Sequence, residues 1–199
     1  LSATNGTFTG DVGIGTASPS QKLHVAGNVY NTGFVNSAGS GTAGGYQFAD
    51  GNAMIYRATN DLAIKLQGTE TLRINAAGII TKPLQPAFLA HPDSTITNIA
   101  TGGNSGLAFD TERFDQNGDY NNSNYTFTAP VTGKYQTNVV MYLIQLDSAV
   151  GYYEFSLNTS NKVYYTIVDP DFGQDNGYFT LTFAALIDMD AADTAVIGL

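Results

Sequence analysis

The chain has 199 residues, a formal net charge of −9 and only 13% charged residues. Its eight lysines and arginines are scattered singly, which argues against nucleic acid and anionic membranes as partners, because both require clustered basic residues. The absence of cysteine excludes disulfides and thiolate metal sites, and no apolar run approaches the roughly 20 residues of a membrane helix.

The rest of the composition favours an all-β protein. Glycine is abundant at 22 residues, and the aromatic residues are tyrosine and phenylalanine with no tryptophan. Frequent glycine, asparagine and threonine supply turns, while the aromatic residues favour strands. The sequence begins at Leu1 without an initiator methionine, so we expect it to be a piece of a longer protein.

The first 82 residues alternate short apolar segments with turns. Predicted strands near 12–16 and 22–25 precede a flexible Gly/Ser loop at 36–45. Short strands are then predicted at 46–48, 54–58, 62–66, 72–74 and 79–80, about eight residues apart. Each offers two or three inward apolar residues, too few for one copy to offset an ordering entropy of about 1–2 kcal/mol per residue. We therefore expect other chains to complete this region.

A proline-rich segment at 82–86 marks a change in strand length and composition, and we predict a domain boundary there. The prediction is a β-rich shaft at 1–82 and a second β-domain at 83–199. Longer and more aromatic strands follow the boundary, predicted at 88–90, 107–109, 125–129, 134–146, 152–157, 163–168, 178–187 and 194–199.

The corner at 125–135 is the clearest local pattern. Tyr125, Phe127 and Ala129 alternate with threonines, as in a strand with one buried face. Pro130 ends the strand because it has no N–H to donate, and we expect Gly133 to take a positive φ before the next strand begins.

The strand predicted at 134–146 has two apolar faces. Tyr135, Val139 and Met141 lie on the odd face. On the even face, Val140, Tyr142 and Ile144 follow polar residues. Since an outer sheet face is normally polar, these three residues predict an interface with another copy of the chain.

Two resemblances to known families cover most of the chain. The N-terminal segment resembles a shaft segment of phage tail fibres and tail-fibre-like adhesins. This first resemblance implies a slender homotrimeric β-rich shaft. The residues that carry it are Gly10-Asp11-Val12-Gly13-Ile14-Gly15-Thr16-Ala17-Ser18-Pro19, Lys22-Leu23-His24-Val25 and Gly27.

The second resemblance is to the jelly-roll head of the complement and tumour-necrosis-factor superfamily, which implies a ten-stranded sandwich that assembles as a compact trimer. The sequence has Ala192 where that family has glycine, and it stops at Leu199 where the family adds a last strand. The resemblance therefore implies a knob that lacks this strand. The matching residues are 86–90, Phe109, 117–120, 125–135, 186–189, Asp193 and Val196.

Together the resemblances imply a homotrimeric phage tail fibre or other virion appendage that binds a host glycan or protein. Its N-terminal side is expected to join other tail or capsid proteins. The alternatives are a bacterial surface adhesin of the same shape and a polysaccharide-degrading tailspike. We expect no enzyme activity, because neither histidine, His24 nor His91, has a nucleophile or acid at suggestive spacing.

Receptor contacts are predicted in four loops, at 116–124, 147–151, 158–162 and 169–177, because loops on a rigid scaffold commonly carry binding residues. Their tyrosine, asparagine and aspartate side chains are suited to stacking on sugars and bonding hydroxyls. The candidate contact residues are Asp119, Tyr120, Asn121, Asn122, Asp171 and Phe172.

Two acidic loops leave calcium open as a ligand, although no cofactor is predicted. Asp115, Asn117 and Asp119 place oxygen atoms at alternate positions, but Gly118 stands at position four rather than six and Thr126 occupies position twelve. The second loop contains Asp169 and Asp171, and some complement-like heads bind calcium near the trimer axis. For the first loop, turns formed by side-chain-to-backbone hydrogen bonds are the favoured interpretation; for the second, it is a solvated loop.

Overall fold

The computed structural model describes residues 9–30, 32, 45–48, 52–99 and 106–199, and this part of the chain folds into β-strands without any helix. The all-β prediction is thus confirmed. Apart from Gly45, the predicted Gly/Ser loop lies outside the described residues.

The first seven strands form a parallel pair and an antiparallel sheet. Strands β1 and β2 pair in parallel, and β3 to β7 form a five-stranded sheet in chain order. Thr59 and Gln67 have positive φ in the two-residue turns β4–β5 and β5–β6, a conformation that matches the twist of tight hairpins. The strands are β1 (Val12–Ile14), β2 (Leu23–Val25), β3 (Gly45–Phe48), β4 (Ala53–Ala58), β5 (Asp61–Leu66), β6 (Thr69–Ile74) and β7 (Ile80–Thr81).

The β3–β7 sheet has one apolar face. Cross-strand register aligns Ile55 with Ile64 and Ile64 with Leu72, so the face runs across several strands. No second layer covers it in the described chain, and Leu62, Leu66 and Ile80 are exposed. We call this surface the shaft face; it consists of Tyr46, Phe48, Ile55, Leu62, Ile64, Leu66, Leu72, Ile74 and Ile80.

Nine further strands follow the segment at 82–87. They form a five-stranded sheet in the order β10-β11-β16-β13-β14, and two two-stranded sheets, β12-β15 and β8-β9. The strands are β8 (Phe88–His91), β9 (Thr111–Asp115), β10 (Tyr120–Asn121), β11 (Thr126–Thr128), β12 (Gly133–Leu146), β13 (Tyr153–Thr159), β14 (Val163–Val168), β15 (Asn176–Met189) and β16 (Thr194–Gly198).

The core lies between the β12-β15 ribbon and the five-stranded sheet. Ile187 and Met189 of the ribbon pack in one buried cluster with Phe127 and Leu157. A second cluster joins Val139 and Met141 of β12 to Phe155 of β13 and Leu107. The alternation in β12 and β15 therefore places one face of each strand in the core, and in β12 this is the odd face described from the sequence.

The structure corrects four local predictions. Residues 107–109 do not form a strand; Leu107 instead donates one backbone hydrogen bond to Ile197 (2.8 Å) and buries its side chain. The strand predicted from Tyr125 begins at Thr126, because Tyr125 has a φ of 61°. The loop predicted at 116–124 contains β10, which pairs with β11. Gly133 lies within β12 and does not take a positive φ.

Ala192 stands in a conformation that favours glycine, with a φ of 73°, and its N–H donates to the carbonyl of Ala129 (2.8 Å). The left-handed region costs a non-glycine residue about 1–2 kcal/mol in the folded state. Alanine offsets part of this cost, because its unfolded chain has less conformational entropy to lose on folding than that of glycine. We therefore expect Ala192→Gly to raise the free energy of unfolding by about 0.5–1 kcal/mol in urea denaturation. Ala191→Gly, next to it without a positive φ, is the control and should not stabilise; equal gains in both variants would contradict this explanation.

The β3–β7 sheet contains an ion network. Arg73 donates to Asp61 (2.8 Å) and through Nε to Glu70 (2.7 Å), and it also pairs with Glu70 through its other guanidinium nitrogen. The hydrogen bonds from Arg73 hold the pKa of Glu70 below its ordinary value.

A lowered pKa in the folded state gives stability that is present above the unfolded pKa, about 4.3, and is lost as the pH falls through the folded value. We therefore expect Glu70→Gln to be less stable than the wild type in urea at pH 7, with the difference shrinking toward zero near pH 3. Glu154→Gln on β13, where the residue is exposed, is the control for replacing a glutamate outside the ion network. A difference for Glu70→Gln that persists undiminished in acid would contradict the ionic origin.

Candidate binding loops and association surfaces

The C-terminal sheets have two ends, and the segment that connects them to β7 contacts one of these ends. Gln116 donates from Nε2 to the carbonyls of Lys82 (2.8 Å) and Gln85 (2.9 Å), which ties the turn after β9 to the segment that follows β7. Thr128 links this turn to the start of β16, since it bonds Asp119 through its N–H and pairs with Thr194. We call this the linker end.

The opposite end, which we call the distal end, joins two of the predicted contact loops. Leu146 lies opposite Asn176 in the ribbon, so the loop at 147–151 and the loop before β15 leave from the same place. Ser148 donates to Asp175 Oδ1 through its N–H (3.0 Å) and its hydroxyl (2.9 Å). These hydrogen bonds, the backbone one above all, lower the pKa of Asp175 and hold the two loops together.

The four predicted loops therefore separate in space. Those at 147–151 and 169–177 lie at the distal end. The register of β10 with β11 directs the hairpin tip at 122–125 toward the same end, because Asn121 opposite Thr126 is the last pair. In contrast, the loop at 158–162 lies at the linker end, where Asn161 donates to Asp193 (2.6 Å). The sequence contains no signal for this separation, since it depends on which strands pair.

The predicted contact residues have different surroundings. Asp171 and Phe172 are exposed at the distal end, where the Phe172 ring lies 5.9 Å from the ring of Phe179. Asn121 and Asn122 are exposed near the hairpin tip, and Asn121 accepts the N–H of Ser123 (2.9 Å). Asp119 is half-buried in the turn at the linker end.

Tyr120 packs inside the protein. Its ring stacks on Phe88 with centroids 4.6 Å apart, and its hydroxyl donates to the carbonyl of Phe109 (2.7 Å). Burial, followed by the charges of Glu112 and Asp110, raises the pKa of Tyr120 to about 12. Its hydroxyl and one ring face are thus already engaged within the chain, a position that favours packing over contact with a receptor.

The first calcium candidate forms a turn held by side chains. Asp115 accepts the N–H groups of Gly118 (3.0 Å), Asp119 (3.2 Å) and Tyr120 (2.8 Å), and Asn117 donates to the Asp119 carboxylate (3.0 Å). In the second candidate, Asp169 accepts the N–H of Asp171 (3.2 Å). Within the described ranges no group of three or more acidic, histidine or cysteine residues is arranged to hold a metal ion.

The Asp115 turn gives a direct test of the two interpretations. Hydrogen bonds to a charged acceptor contribute about 1.5–3 kcal/mol each when they are well shielded, and these lie partly in solvent. We expect Asp115→Ala to lower the free energy of unfolding by about 2 kcal/mol, by the same amount with and without EDTA. Asn122→Ala, in the neighbouring hairpin tip, is the control. Wild-type stability that falls to the level of Asp115→Ala in EDTA would instead establish a calcium site.

The outer face of the β12-β15 ribbon carries several large exposed apolar side chains, alongside polar residues such as Gln136 and Thr182. Val140, Tyr142 and Ile144 occupy it as predicted, and the rings of Tyr142 and Tyr178 stack with centroids 5.9 Å apart. Sequence reasoning missed Tyr178 and Leu186 of β15, although the same period-two alternation places both on this face. We call the surface the ribbon face; its exposed fractions are Val140 68%, Tyr142 66%, Ile144 44%, Tyr178 72% and Leu186 62%.

A comparison with protein-family models and with curated protein sequences finds no match to this chain. Among the described residues, no helix has the length and hydropathy needed to span a membrane.

Proposed function

We propose that this chain is part of a homotrimeric virion fibre, such as a phage tail fibre, that binds a glycan or protein on the host surface through its distal loops. The observation that carries the proposal is the pair of apolar surfaces, the shaft face and the ribbon face, one in each half of the chain. Large exposed apolar patches mark interaction surfaces in soluble proteins.

The exposure of large apolar side chains supports association with further copies. On the ribbon face Tyr142 is 66% exposed, Tyr178 72% and Leu186 62%, and contact with another copy would remove them from water.

Few charged side chains lie on these surfaces: Arg57 lies opposite Leu62 on the shaft face, and Lys134 lies opposite Asp188 at one end of the outer face of the ribbon. Little like-charge repulsion therefore opposes contact between copies there.

The proposed architecture is an intertwined shaft at residues 1–82 and a jelly-roll knob at 83–199. The exposed faces support association, while the number three comes from the resemblances to tail-fibre shafts and to complement-like heads. In this arrangement the shaft faces of three copies cover one another, and the ribbon faces do the same in the knob.

Receptor contact is assigned to the distal end, because it lies opposite the linker end, where the proposed shaft would join the knob. The loops there carry Asp171, Phe172 and, at the hairpin tip, Asn121 and Asn122, of which Phe172 is 43% exposed. An exposed aromatic ring beside carboxylates and amides provides stacking and hydrogen bonds for a sugar or a protein surface. Three copies on one fibre convert weak single-site binding into avidity.

Binding to host cells tests this function. We expect the purified assembly to bind host cells without consuming its ligand, and Phe172→Ala to reduce cell-bound protein at least tenfold, since the loss is repeated in every copy. The matched control is Tyr165→Ala, which truncates an exposed aromatic residue on β14 away from the distal loops. Wild-type protein that binds no host cell would contradict the receptor role, and release of oligosaccharide from host polysaccharide would support the tailspike alternative.

The ribbon face gives a separate test of assembly. Tyr142→Asp places a charge where we propose contact between copies, and an unpaired buried charge costs several kcal/mol. We therefore expect light scattering to give a lower molar mass for the variant than for the wild-type assembly. Tyr165→Asp, at a tyrosine that is also exposed (55%, against 66% for Tyr142) but lies on β14, should keep the wild-type mass. A Tyr142→Asp variant with unchanged mass would show that the ribbon face is not an interface.

A further inference from the structure

Asparagine followed by glycine is a chemically reactive pair, and the structure places two such pairs in different surroundings. Among the described residues they are Asn117-Gly118, in the turn after β9, and Asn176-Gly177, at the start of β15. In such a pair the backbone nitrogen of glycine attacks Cγ of the preceding asparagine, since glycine has no Cβ to hinder the approach.

The reaction needs only water as a co-reactant. A base in the solvent takes the proton of the glycine N–H, the nitrogen bonds to Cγ, and the bond from Cγ to the side-chain nitrogen breaks. That nitrogen leaves as ammonia with a proton from the solvent, and the product is a cyclic succinimide. Water then opens the ring at either carbonyl, which gives aspartate or isoaspartate. The rate depends on access of the glycine nitrogen to Cγ and on support for the charge that develops on Oδ1.

The turn after β9 opposes this reaction at Asn117. Gly118 donates its N–H to Asp115 Oδ1 (3.0 Å), and the carboxylate disfavours loss of that proton because it would place two negative charges side by side. Asn117 Nδ2 donates to both carboxylate oxygens of Asp119 (3.0 Å and 3.1 Å), which fixes the side-chain amide. The turn must therefore open before the Gly118 nitrogen can react with Cγ.

The surroundings of Asn176 favour the reaction. Asn176 Oδ1 accepts the N–H of Tyr178 (3.2 Å), which folds the side-chain amide back along the Gly177 peptide. Attack on Cγ develops negative charge on Oδ1, and the Tyr178 N–H already donates to this atom. Within the described ribbon the register passes from Ile144 with Tyr178 to Leu146 with Asn176 and pairs no residue with Gly177. Gly177 is also exposed, so its nitrogen is open to solvent base.

We propose that Asn176 is a site of spontaneous deamidation in the folded protein and that the fold protects Asn117 from the same reaction. The product places a new carboxylate next to Asp175, which accepts two hydrogen bonds from Ser148. Isoaspartate also adds a methylene group to the backbone at the last pair of the ribbon, Leu146 with Asn176. Both changes act where the two distal loops are joined. The assignment of the site does not rest on the proposed receptor binding.

Peptide mass spectrometry of the purified chain, incubated in mildly alkaline buffer and sampled over days, measures the reaction at both pairs. We expect Asn176 to convert at least about tenfold faster than Asn117 in the folded protein, which corresponds to a difference of about 1.4 kcal/mol between the two barriers. In guanidinium chloride the two rates should approach each other, because both asparagines then precede an unstructured glycine.

Two substitutions separate the structural causes. Asp115→Ala removes the acceptor of the Gly118 N–H, and it should raise the rate at Asn117 without changing the rate at Asn176. Gly177→Ala adds a methyl group beside the attacking nitrogen, at a position without a positive φ where a Cβ meets no atom within 4 Å. It should slow the reaction of Asn176 at least about tenfold and leave Asn117 unchanged.

Two results would overturn the proposal. One is conversion of Asn176 that is no faster than that of Asn117 in the folded chain. The other is conversion of Asn176 that is slower in the folded chain than in guanidinium chloride, which would show that the fold protects this asparagine as well.

Discussion

The pairing of β12 with β15 is the interaction on which the C-terminal half depends. Two strands of 14 residues pair from Gly133 with Met189 to Leu146 with Asn176. Because side chains alternate along a strand, one face of this ribbon supplies Val139, Met141 and Ile187 to the core. The other face is exposed to solvent. The same alternation that builds the core therefore also creates the surface proposed for assembly.

Alternation is also the feature that made these elements predictable. The strand predicted at 134–146 is observed at Gly133–Leu146, and the one predicted at 163–168 matches β14. Strands β9 and β10 were missed because they have no alternating apolar pattern: β9 reads TERFD and β10 has only two residues. Their extended conformation comes from pairing with β8 and β11, which a local pattern does not contain.

The same distinction between local and non-local information applies to the candidate site. The loops could be found from their composition, but their division between linker end and distal end follows from strand pairing and from the bonds of Gln116 to Lys82 and Gln85. Tyr120 illustrates the cost of interpreting a loop by composition alone. It stands in a polar segment, yet its ring packs on Phe88 and its hydroxyl is engaged by Phe109.

The shaft face and the ribbon face have one physical cause in common. Each belongs to a sheet that lacks the neighbour that would remove its apolar surface from water. We propose that further copies of the chain cover both faces. The distal loops, by contrast, are held by their own hydrogen bonds, as Ser148 and Asp175 show, which is suitable for a rigid contact surface.

The proposed fibre requires that the chain be stable as an assembly of three copies. Sedimentation equilibrium of the 199-residue chain over a wide range of protein concentration measures this property. We expect one species with three times the 21.1 kDa mass of the chain and no dependence on concentration down to the detection limit. A folded species with the mass of a single chain throughout that range would contradict the proposal.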